Sequence, residues 1–122
     1  MLASELLNYK NWVVIGDVEN TNKYAIKILN ALLDSGFNVK GVNPRSSSEK
    51  VYNTLKKIPY KIDVIDLCIN PIDGISILKE VKELGINNIL VQPGAGSDAI
   101  KRFCIDNKIN YIQGCALVEL NR

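Results

Sequence analysis

The sequence contains no histidine, and its longest apolar runs are only as long as a β-strand. Without histidine there is no Ser-His or Cys-His nucleophile pair, no imidazole metal ligand and no phosphohistidine. Strand-sized apolar runs predict no transmembrane helix, and the N-terminus, MLASELLNYK, lacks the features of a signal peptide. Any reaction would therefore depend on carboxylates, lysines, cysteines or a cofactor.

Charge and cysteine content narrow the expected partners further. The net charge is +2 and no block of like charges exceeds two residues, so neither nucleic acid nor membrane is an expected partner. The cysteines, Cys68, Cys104 and Cys115, form no C-x-x-C pair, which is typical of a reduced, cytoplasmic protein. Cys68 and Cys104 are expected in the core with raised pKa values. The carboxylates show neither catalytic pairing nor metal-ligand spacing, so no enzyme activity and no metal site are predicted.

Apolar runs alternate with amphipathic segments along the chain, which predicts an α/β fold. Strands are expected at 13–15, 37–42, 63–69, 89–92 and 111–113. Longer helices are expected from Tyr24, Pro71 and Asp98, short helical segments at 3–9 and 51–57, and a final short apolar segment at 116–120. Gly36 and Gly85 should end the first two long helices. We expect one domain over 1–122, a three-layer, doubly wound, Rossmann-like sheet of five parallel strands in the order 3-2-1-4-5.

The loop Gly16–Lys23 follows the first strand and opens the first helix. A helix amino end favours an anion through its unpaired N–H groups and its macrodipole. This loop lacks the G-x-G-x-x-G pattern, which weighs against a standard dinucleotide site. Lys23 either reaches a phosphate or lies solvated on the first turn. Asp17 and Glu19 repel phosphate, so they must point away or bind something positive.

The end of the second strand distinguishes between ligand classes. An NAD site places an acid there to bind the ribose hydroxyls, whereas an arginine accommodates a ribose phosphate. The chain has Asn43-Pro44-Arg45-Ser46 and no acid. Arg45 and Ser46 therefore favour a phosphorylated adenosine ribose, as in NADP or coenzyme A, over a simple surface turn.

The third and fourth strands end in loops that also bring backbone close to a ligand. Asn70 can cap a helix that has Pro71 at its first position and Asp73 in its first turn. The turn Pro93–Gly96 is too small to cover its own backbone. All these loops lie at the carboxyl ends of strands, where such sheets bind ligands.

Several ordered motifs together resemble one known family. They are a polar loop ending in K-Y-A, then G-x-N-V-x-G-V-N-P-R, V-Y-x-x-L-x-x-I-P, I-D-x-I-D-L-C-I-N-P, V-Q-P-G-A and G-C-A-L-V-E. From about Trp12 to Glu119 the chain resembles the stand-alone CoA-binding domain family. That family is similar in fold to the N-terminal domain of the succinyl-CoA synthetase alpha subunit.

The resemblance implies a Rossmann-like module that binds CoA or an acyl-CoA. Acid–thiol ligation is not implied, because the chain lacks the ligase's histidine-bearing domain. The expected cofactor-binding residues are Gly16, Asp17, Asn22, Lys23, Tyr24, Val42, Asn43, Pro44, Arg45, Ser46, Ile69, Asn70, Pro71, Gln92, Pro93, Gly94 and Ala95. Cys115 and Glu119 match the terminal motif.

Other interpretations of the same residues stay open. One is a small NADP-linked oxidoreductase. Another is a redox or regulatory protein in which Cys115 or Cys68 forms a mixed disulfide with CoA. A third is an interaction protein that has kept the fold and lost the ligand, an idea motivated by Asp17 and Glu19. A homodimer or a partner protein is compatible with each of these.

Overall fold

The computed structural model describes all residues from Met1 to Arg122, and strands alternate with helices along the chain. The strands are β1 (Asn11–Gly16), β2 (Asn38–Val42), β3 (Val64–Cys68), β4 (Asn88–Val91) and β5 (Asn110–Gln113). The α-helices are α1 (Tyr24–Asp34), α2 (Pro71–Glu83), α3 (Asp98–Asp106) and α4 (Ala116–Leu120). Short 3-10 helices cover Ala3–Asn8 and Leu55–Lys57. None of the helices combines the length and the apolar character needed to cross a membrane.

The five strands form one parallel sheet in the order β2-β1-β3-β4-β5. The predicted parallel α/β architecture is therefore confirmed. The predicted order 3-2-1-4-5 is corrected at one place, since β3 lies between β1 and β4 rather than outside β2. The chain crosses over β1 to reach this position.

The polarity of the strands explains the corrected order. β2, with the sequence NVKGV, is only partly buried, whereas the residues of β3 are buried up to its last position. A central strand is covered on both faces and both edges, so the more apolar strand occupies the centre. The outer edge of β2 is met instead by Tyr52, which forms an isolated parallel bridge with Val42. In the predicted helical segment 51–57, only Leu55–Lys57 becomes helical.

Helices cover both faces of the sheet, and each face has its own apolar core. Alternate residues of β1 serve the two cores: Trp12 and Val14 face one side, and Val13 and Ile15 face the other. The first side is covered by α1 and α4, and the second by α2 and α3. Successive side chains of a strand point to opposite faces, so a buried strand of this kind must be apolar throughout.

Glycines end α1 and α2 as expected. Gly36 has φ +88°, and its neighbour Phe37 donates its amide to the Leu32 carbonyl oxygen at 3.0 Å. Gly85, with φ +68°, ends α2 in the same way. Both arrangements are Schellman motifs, in which a residue with positive φ turns the chain out of the helix. The predicted helix ends at Gly36 and Gly85 are confirmed.

Candidate functional site

In the observed strand order, β2 is added on one side of β1, and β3, β4 and β5 are added on the other. The switch point of the sheet therefore lies between β1 and β3. From β1 the chain continues into α1 on one face, and from β3 it continues into α2 on the other face. The loops after these adjacent strands therefore diverge and leave a crevice at their carboxyl ends. Doubly wound sheets bind their ligands at such a switch point.

Gly16, the last residue of β1, allows β1 and β3 to pack closely at the base of this crevice. A Cβ at this position would overlap the carbonyl oxygen of Cys68 and would lie 3.0 Å from the Cβ of Ala25. Glycine therefore lets β1 approach the end of β3 and the first turn of α1. Gly16 is buried. This predicted site residue therefore acts through packing, because it lets the loops after β1 and β3 come close together.

The loop from Asp17 to Lys23 is anchored at two points. Val18 is buried and packs against Gly41 of β2, which has no side chain to prevent this contact. Glu19 accepts a hydrogen bond from Nδ2 of Asn43 at 3.1 Å. One of the two acids in the loop thus has a donor in the predicted second loop, although that donor is a neutral amide rather than a positive charge. Asp17 is partly exposed.

The amino end of α1 has no side-chain cap. Lys23 occupies the N-cap position without accepting a hydrogen bond, and no acidic residue lies in the first turn. Tyr24 is exposed, and the ammonium group of Lys27 lies 5.4 Å from the centre of its ring. Asn22 donates its amide to Oδ1 of Asn20 at 3.0 Å. The first-turn N–H groups of α1 therefore have no side-chain acceptor within the protein.

The amino end of α2 is built in the opposite way. Asn70 caps it, accepting the Asp73 amide on its Oδ1 at 3.0 Å, and Pro71 is the first helical residue. This confirms the predicted cap. Asp73 also accepts from Nδ2 of Asn70 at 2.8 Å. An acid in the first turn is favoured by the helix dipole, so this helix end is satisfied by its own residues.

Arg45 joins the second loop to this capped helix. Its Nε donates to Oδ2 of Asp73 at 2.6 Å and its Nη2 donates to Oδ1 at 3.0 Å. The hydrogen bond from Arg45, followed by the one from Asn70, lowers the pKa of Asp73. The guanidinium still has Nη1 and one hydrogen of Nη2 for another acceptor. Its side chain is 73% exposed, so that edge is open to solvent.

The remaining residues of the second loop hold the backbone around Arg45. Oδ1 of Asn43 accepts the Arg45 amide at 3.1 Å, and the Asn43 amide donates to the Tyr52 carbonyl. Oγ of Ser46 accepts the Ser48 amide at 3.1 Å. Pro44 is partly buried, and Val42 is fully buried in the core. Of the predicted residues in this loop, Val42 therefore contributes packing rather than surface.

The third and fourth loops form the walls of a shallow cleft of about 240 Å³. Cys68, Ile69 and Asn70 line one side. Gln92, Pro93, Gly94 and Ala95 line the other. Gly94 has φ +87°, a backbone conformation that favours glycine at the top of the turn. The structure thus brings the predicted residues of these two loops together, although the side chain of Ala95 is buried.

A buried acid lies beneath this cleft. Asp66 of β3 is 0% exposed, and its Oδ1 accepts a hydrogen bond from Nε2 of Gln92 at 2.5 Å. Its other oxygen, Oδ2, has no partner. Burial raises the pKa of Asp66 to about 7, and the hydrogen bond from Gln92 opposes this shift. The acid is buried at neutral pH with one oxygen unsatisfied, which is uncommon in protein interiors.

Contacts run through all four predicted loops in sequence. Glu19 and Asn43 link the first loop to the second, and Arg45 and Asp73 link the second to the third. The common cleft links the third to the fourth. The predicted loops therefore form one continuous rim at the carboxyl edge of the sheet.

Cys104 lies in the core as predicted, whereas Cys68, which was also predicted there, is only partly buried and lines the cleft between the third and fourth loops. Burial raises the pKa of Cys104 to about 11. Burial, with the nearby charges of Asp66 and Cys115, raises the pKa of Cys68 to about 11. Both side chains are therefore thiols at neutral pH, and the prediction of raised pKa values is confirmed. Cys115 is the N-cap residue of α4 and makes no side-chain cap.

Residues 10–121 match the family described as the CoA binding domain. The chain belongs to the CoA binding domain family. This match covers almost the whole chain, and it confirms the family expected from the six motifs.

Solved structures similar to this CoA binding domain include proteins from two Pyrococcus species. A conserved hypothetical protein from Pyrococcus furiosus shares 34% identity, with a TM-score of 0.81 over 91% of this chain and 99% of that chain. A hypothetical protein from Pyrococcus horikoshii OT3 shares 22% identity, with a TM-score of 0.87 over 99% of this chain and 92% of that chain. The second likeness shows the shared fold.

A similar fold also occurs within a much larger enzyme. A dinucleotide forming acetyl-coenzyme A synthetase 1 from Ca. Korarchaeum cryptofilum, solved with phosphate and ADP, has a TM-score of 0.69 and 17% identity. The match covers 91% of this chain and 27% of the synthetase. About a quarter of that enzyme therefore has the same fold as this CoA binding domain.

Some contacts of this CoA binding domain were missed because they join residues far apart in the sequence. The pairing of Arg45 with Asp73 spans 28 positions. The only local hint of the buried Asp66 is an acid in the middle of the apolar segment DVIDLCI. A buried acid in a strand is a signal that sequence inspection can use, because such groups require a hydrogen-bond donor.

Proposed function

We propose that this protein binds coenzyme A or an acyl-CoA in the crevice at the carboxyl edge of its sheet, without catalysing a reaction alone. The pyrophosphate lies near Gly16 and Lys23, and the 3′-phosphate at Arg45 and Ser46. The pantetheine crosses the cleft between the Asn70 and Gln92 loops. Membership of the CoA binding domain family supports the choice of ligand.

One observation carries this proposal: the amino end of α1 has no side-chain cap, whereas α2 and α3 are each capped. Asn70 caps α2 and Ser97 caps α3, each with an acid in the first turn. At α1, the N-cap residue is Lys23 and the first turn has no acid. Free N–H groups, the helix dipole and a lysine together favour a phosphate.

Arg45 supplies the second contact with an anion. Asp73 holds the Nε edge of its guanidinium and leaves the Nη1 edge available. Arginine binds phosphate through two parallel hydrogen bonds, so the free edge suits the 3′-phosphate of CoA. Asp73 therefore orients the side chain in this proposal.

The acids of the first loop are compatible with this arrangement. Glu19 is hydrogen-bonded to Asn43 in the second loop, so its carboxylate already has a donor there. Asp17 lies between Gly16 and the buried Val18. The amino end of α1 begins six positions later, at Lys23.

An NADP-binding function is the second candidate, and Arg45 is the observation that favours it. The 2′-phosphate of NADP lies on the adenosine ribose, so the same arginine at the end of β2 suits it. NADP and CoA differ in the rest of their structures, so a titration with each ligand distinguishes the two candidate functions.

Isothermal titration with CoA, dephospho-CoA and NADP tests the proposal. We expect CoA to bind more tightly than dephospho-CoA, and we expect Arg45→Ala to weaken CoA about tenfold, as the loss of one charge-assisted contact predicts. Dephospho-CoA should lose much less. Arg102→Ala, a change on the exposed face of α3, is the matched control for charge.

Each alternative has its own result in this titration. Binding of NADP without binding of CoA assigns the site to a nicotinamide cofactor. Equal weakening of CoA and dephospho-CoA by Arg45→Ala removes the 3′-phosphate from this loop. Binding of none of the three ligands contradicts the proposal and favours an interaction protein.

A further inference from the structure

A second cleft lies beside the cleft proposed for pantetheine, at the carboxyl ends of β4 and β5. Its volume is about 520 Å³, and it shares Gln92, Pro93 and Gly94 with its neighbour. The first turn of α3 and the side chains of Tyr111 and Gln113 complete its wall. A ligand lying across the Gln92 loop therefore passes directly from one cleft into the other.

The second cleft is lined by hydrogen-bond donors that the protein does not use. Oη of Tyr111 accepts a hydrogen bond from Nε2 of Gln113 at 3.4 Å, and its own proton has no acceptor. Oγ of Ser97 accepts the Ile100 amide at 3.2 Å, so its proton is also free. The ammonium group of Lys101 forms no ion pair. Three donors thus face one space.

Gly96 holds the Tyr111 hydroxyl against the loop. A Cβ at Gly96 would lie 2.5 Å from Oη of Tyr111, so any other residue would push the phenol away. Glycine here has φ in the ordinary range, and the reason for it is therefore space. The hydroxyl is kept close to the backbone of the fourth loop.

One acid lines the same cleft. Asp98 is exposed in the first turn of α3, where the helix dipole favours a negative charge. Lys101 lies one turn further along the same helix. The cleft therefore combines one acid with an amine, two hydroxyl donors and the positive end of a helix.

We infer that this second cleft receives the acyl group of a bound acyl-CoA and favours an acyl group that ends in a carboxylate. This inference rests on the proposed CoA function. An alkyl chain would cover the free donors without satisfying them, which is unfavourable. Carboxylate oxygens accept hydrogen bonds from Lys101, Tyr111 and Ser97, and such charge-assisted bonds are strong.

Glutaryl-CoA and pentanoyl-CoA test the inference, because they have the same chain length and differ in a terminal carboxylate or methyl group. Isothermal titration of the wild type should show glutaryl-CoA binding at least about tenfold more tightly, as one charge-assisted contact predicts. Lys101→Met and Tyr111→Phe should each lower this ratio, and Asp98→Asn should raise it. Lys79→Met, on the exposed face of α2, is the charge control and should keep the wild-type ratio.

The possible outcomes separate this inference from the proposed function. A wild-type ratio of one or below, in a protein that binds CoA, overturns the inference alone. So does a ratio that neither Lys101→Met nor Tyr111→Phe lowers. Failure to bind CoA and both thioesters overturns the inference together with the proposed function.

Discussion

The amino ends of α1 and α2 follow the adjacent parallel strands β1 and β3 at the same edge of the sheet, and they differ in how their first turns are satisfied. At α2, Asn70 caps the helix, and Asp73 adds a charge that pairs with Arg45. At α1, Lys23 occupies the N-cap position, no side chain caps the helix and no acid follows. One helix end is complete within the protein, and the other is not.

This difference indicates which of the two helix ends is available to a ligand. A side-chain cap stabilises a helix by about 1 kcal/mol, so α1 lacks a contribution that α2 has. A bound phosphate would supply the missing acceptors and would interact with the same dipole. The uncapped end is therefore the one expected to bind an anion, and the capped end positions Arg45 beside it.

The first expected effect tests the contact between β1 and β3, which brings the two helix ends together. Gly16→Ala places a Cβ against the Cys68 carbonyl oxygen, so we expect the free energy of unfolding to fall by about 3 kcal/mol. Urea denaturation measures this change. Gly85→Ala is the control. Gly85 has φ +68° and open space around its Cα, so this change should lower the free energy of unfolding by only about 1 kcal/mol. Equal losses in both variants would contradict a tight contact between β1 and β3.

The next effect compares Asp73 of α2, whose side chain is 16% exposed, with Asp66, the acid buried in β3. The pKa of Asp73 is lowered, whereas burial raises the pKa of Asp66 to about 7. A raised pKa means that the folded protein holds a proton that the unfolded chain releases. The stability contributed by Asp66 is therefore complete at low pH and is lost as the pH rises from about 4 to about 7.

Asp66→Asn should remove this loss. In the wild type, the contribution of Asp66 to the free energy of unfolding should fall by about 4 kcal/mol between pH 4 and pH 7 and stay constant above pH 7. The measurement is the free energy of unfolding against pH, for the wild type and for Asp66→Asn. The difference between the two curves should change between pH 4 and 7, and a constant difference would contradict a raised pKa.

A smaller effect converts the amino end of α1 into a copy of the capped end. Lys23→Asp adds a side-chain cap, so the free energy of unfolding should rise by about 1 kcal/mol. The same change should weaken CoA at least about tenfold, because the carboxylate occupies the N–H groups and replaces a positive charge. Thermal unfolding and isothermal titration measure the two effects.

Lys61→Asp is the control for net charge in this experiment. Lys61 is exposed and lies just before β3, at the edge of the sheet opposite the crevice. It should leave CoA affinity close to that of the wild type. If Lys61→Asp and Lys23→Asp weaken CoA equally, the effect of Lys23 is one of overall charge rather than position.

The smallest effect removes the cap from α2. Asn70→Ala should lower the free energy of unfolding by about 1 kcal/mol, because the Asp73 amide loses its acceptor. CoA should be weakened less than by Lys23→Asp. Denaturation and titration of the two variants side by side check this order, and a larger loss of affinity in Asn70→Ala would reverse the comparison between the helix ends.

Features set by neighbouring residues were predictable from the sequence. The Asn70 cap and the glycine ends of α1 and α2 depend on a few adjacent positions, and they form as predicted. The parallel α/β sheet followed from the alternation of strands and helices, because parallel neighbours need crossover connections. Because all the strands are parallel, the loops at their carboxyl ends lie at the same edge of the sheet.

Features that depend on lateral neighbours were harder to predict. Periodicity does not say which strands lie side by side, although the polar character of β2 compared with β3 carried a signal about which one is central. The pairing of Arg45 with Asp73 and the second cleft, with Lys101, Tyr111 and Gln113, arise from segments far apart in the chain. Local patterns contain no information on such distances.

The most direct test of the central claim is an amide chemical-shift titration of the wild-type protein with CoA. We expect the largest saturable changes at the first-turn amides of α1, such as those of Ala25 and Ile26. The first-turn amides of α2, at Ile72 and Asp73, should change less because that end is already capped. Larger changes at α2 than at α1, or no saturable change at either helix, would contradict the account.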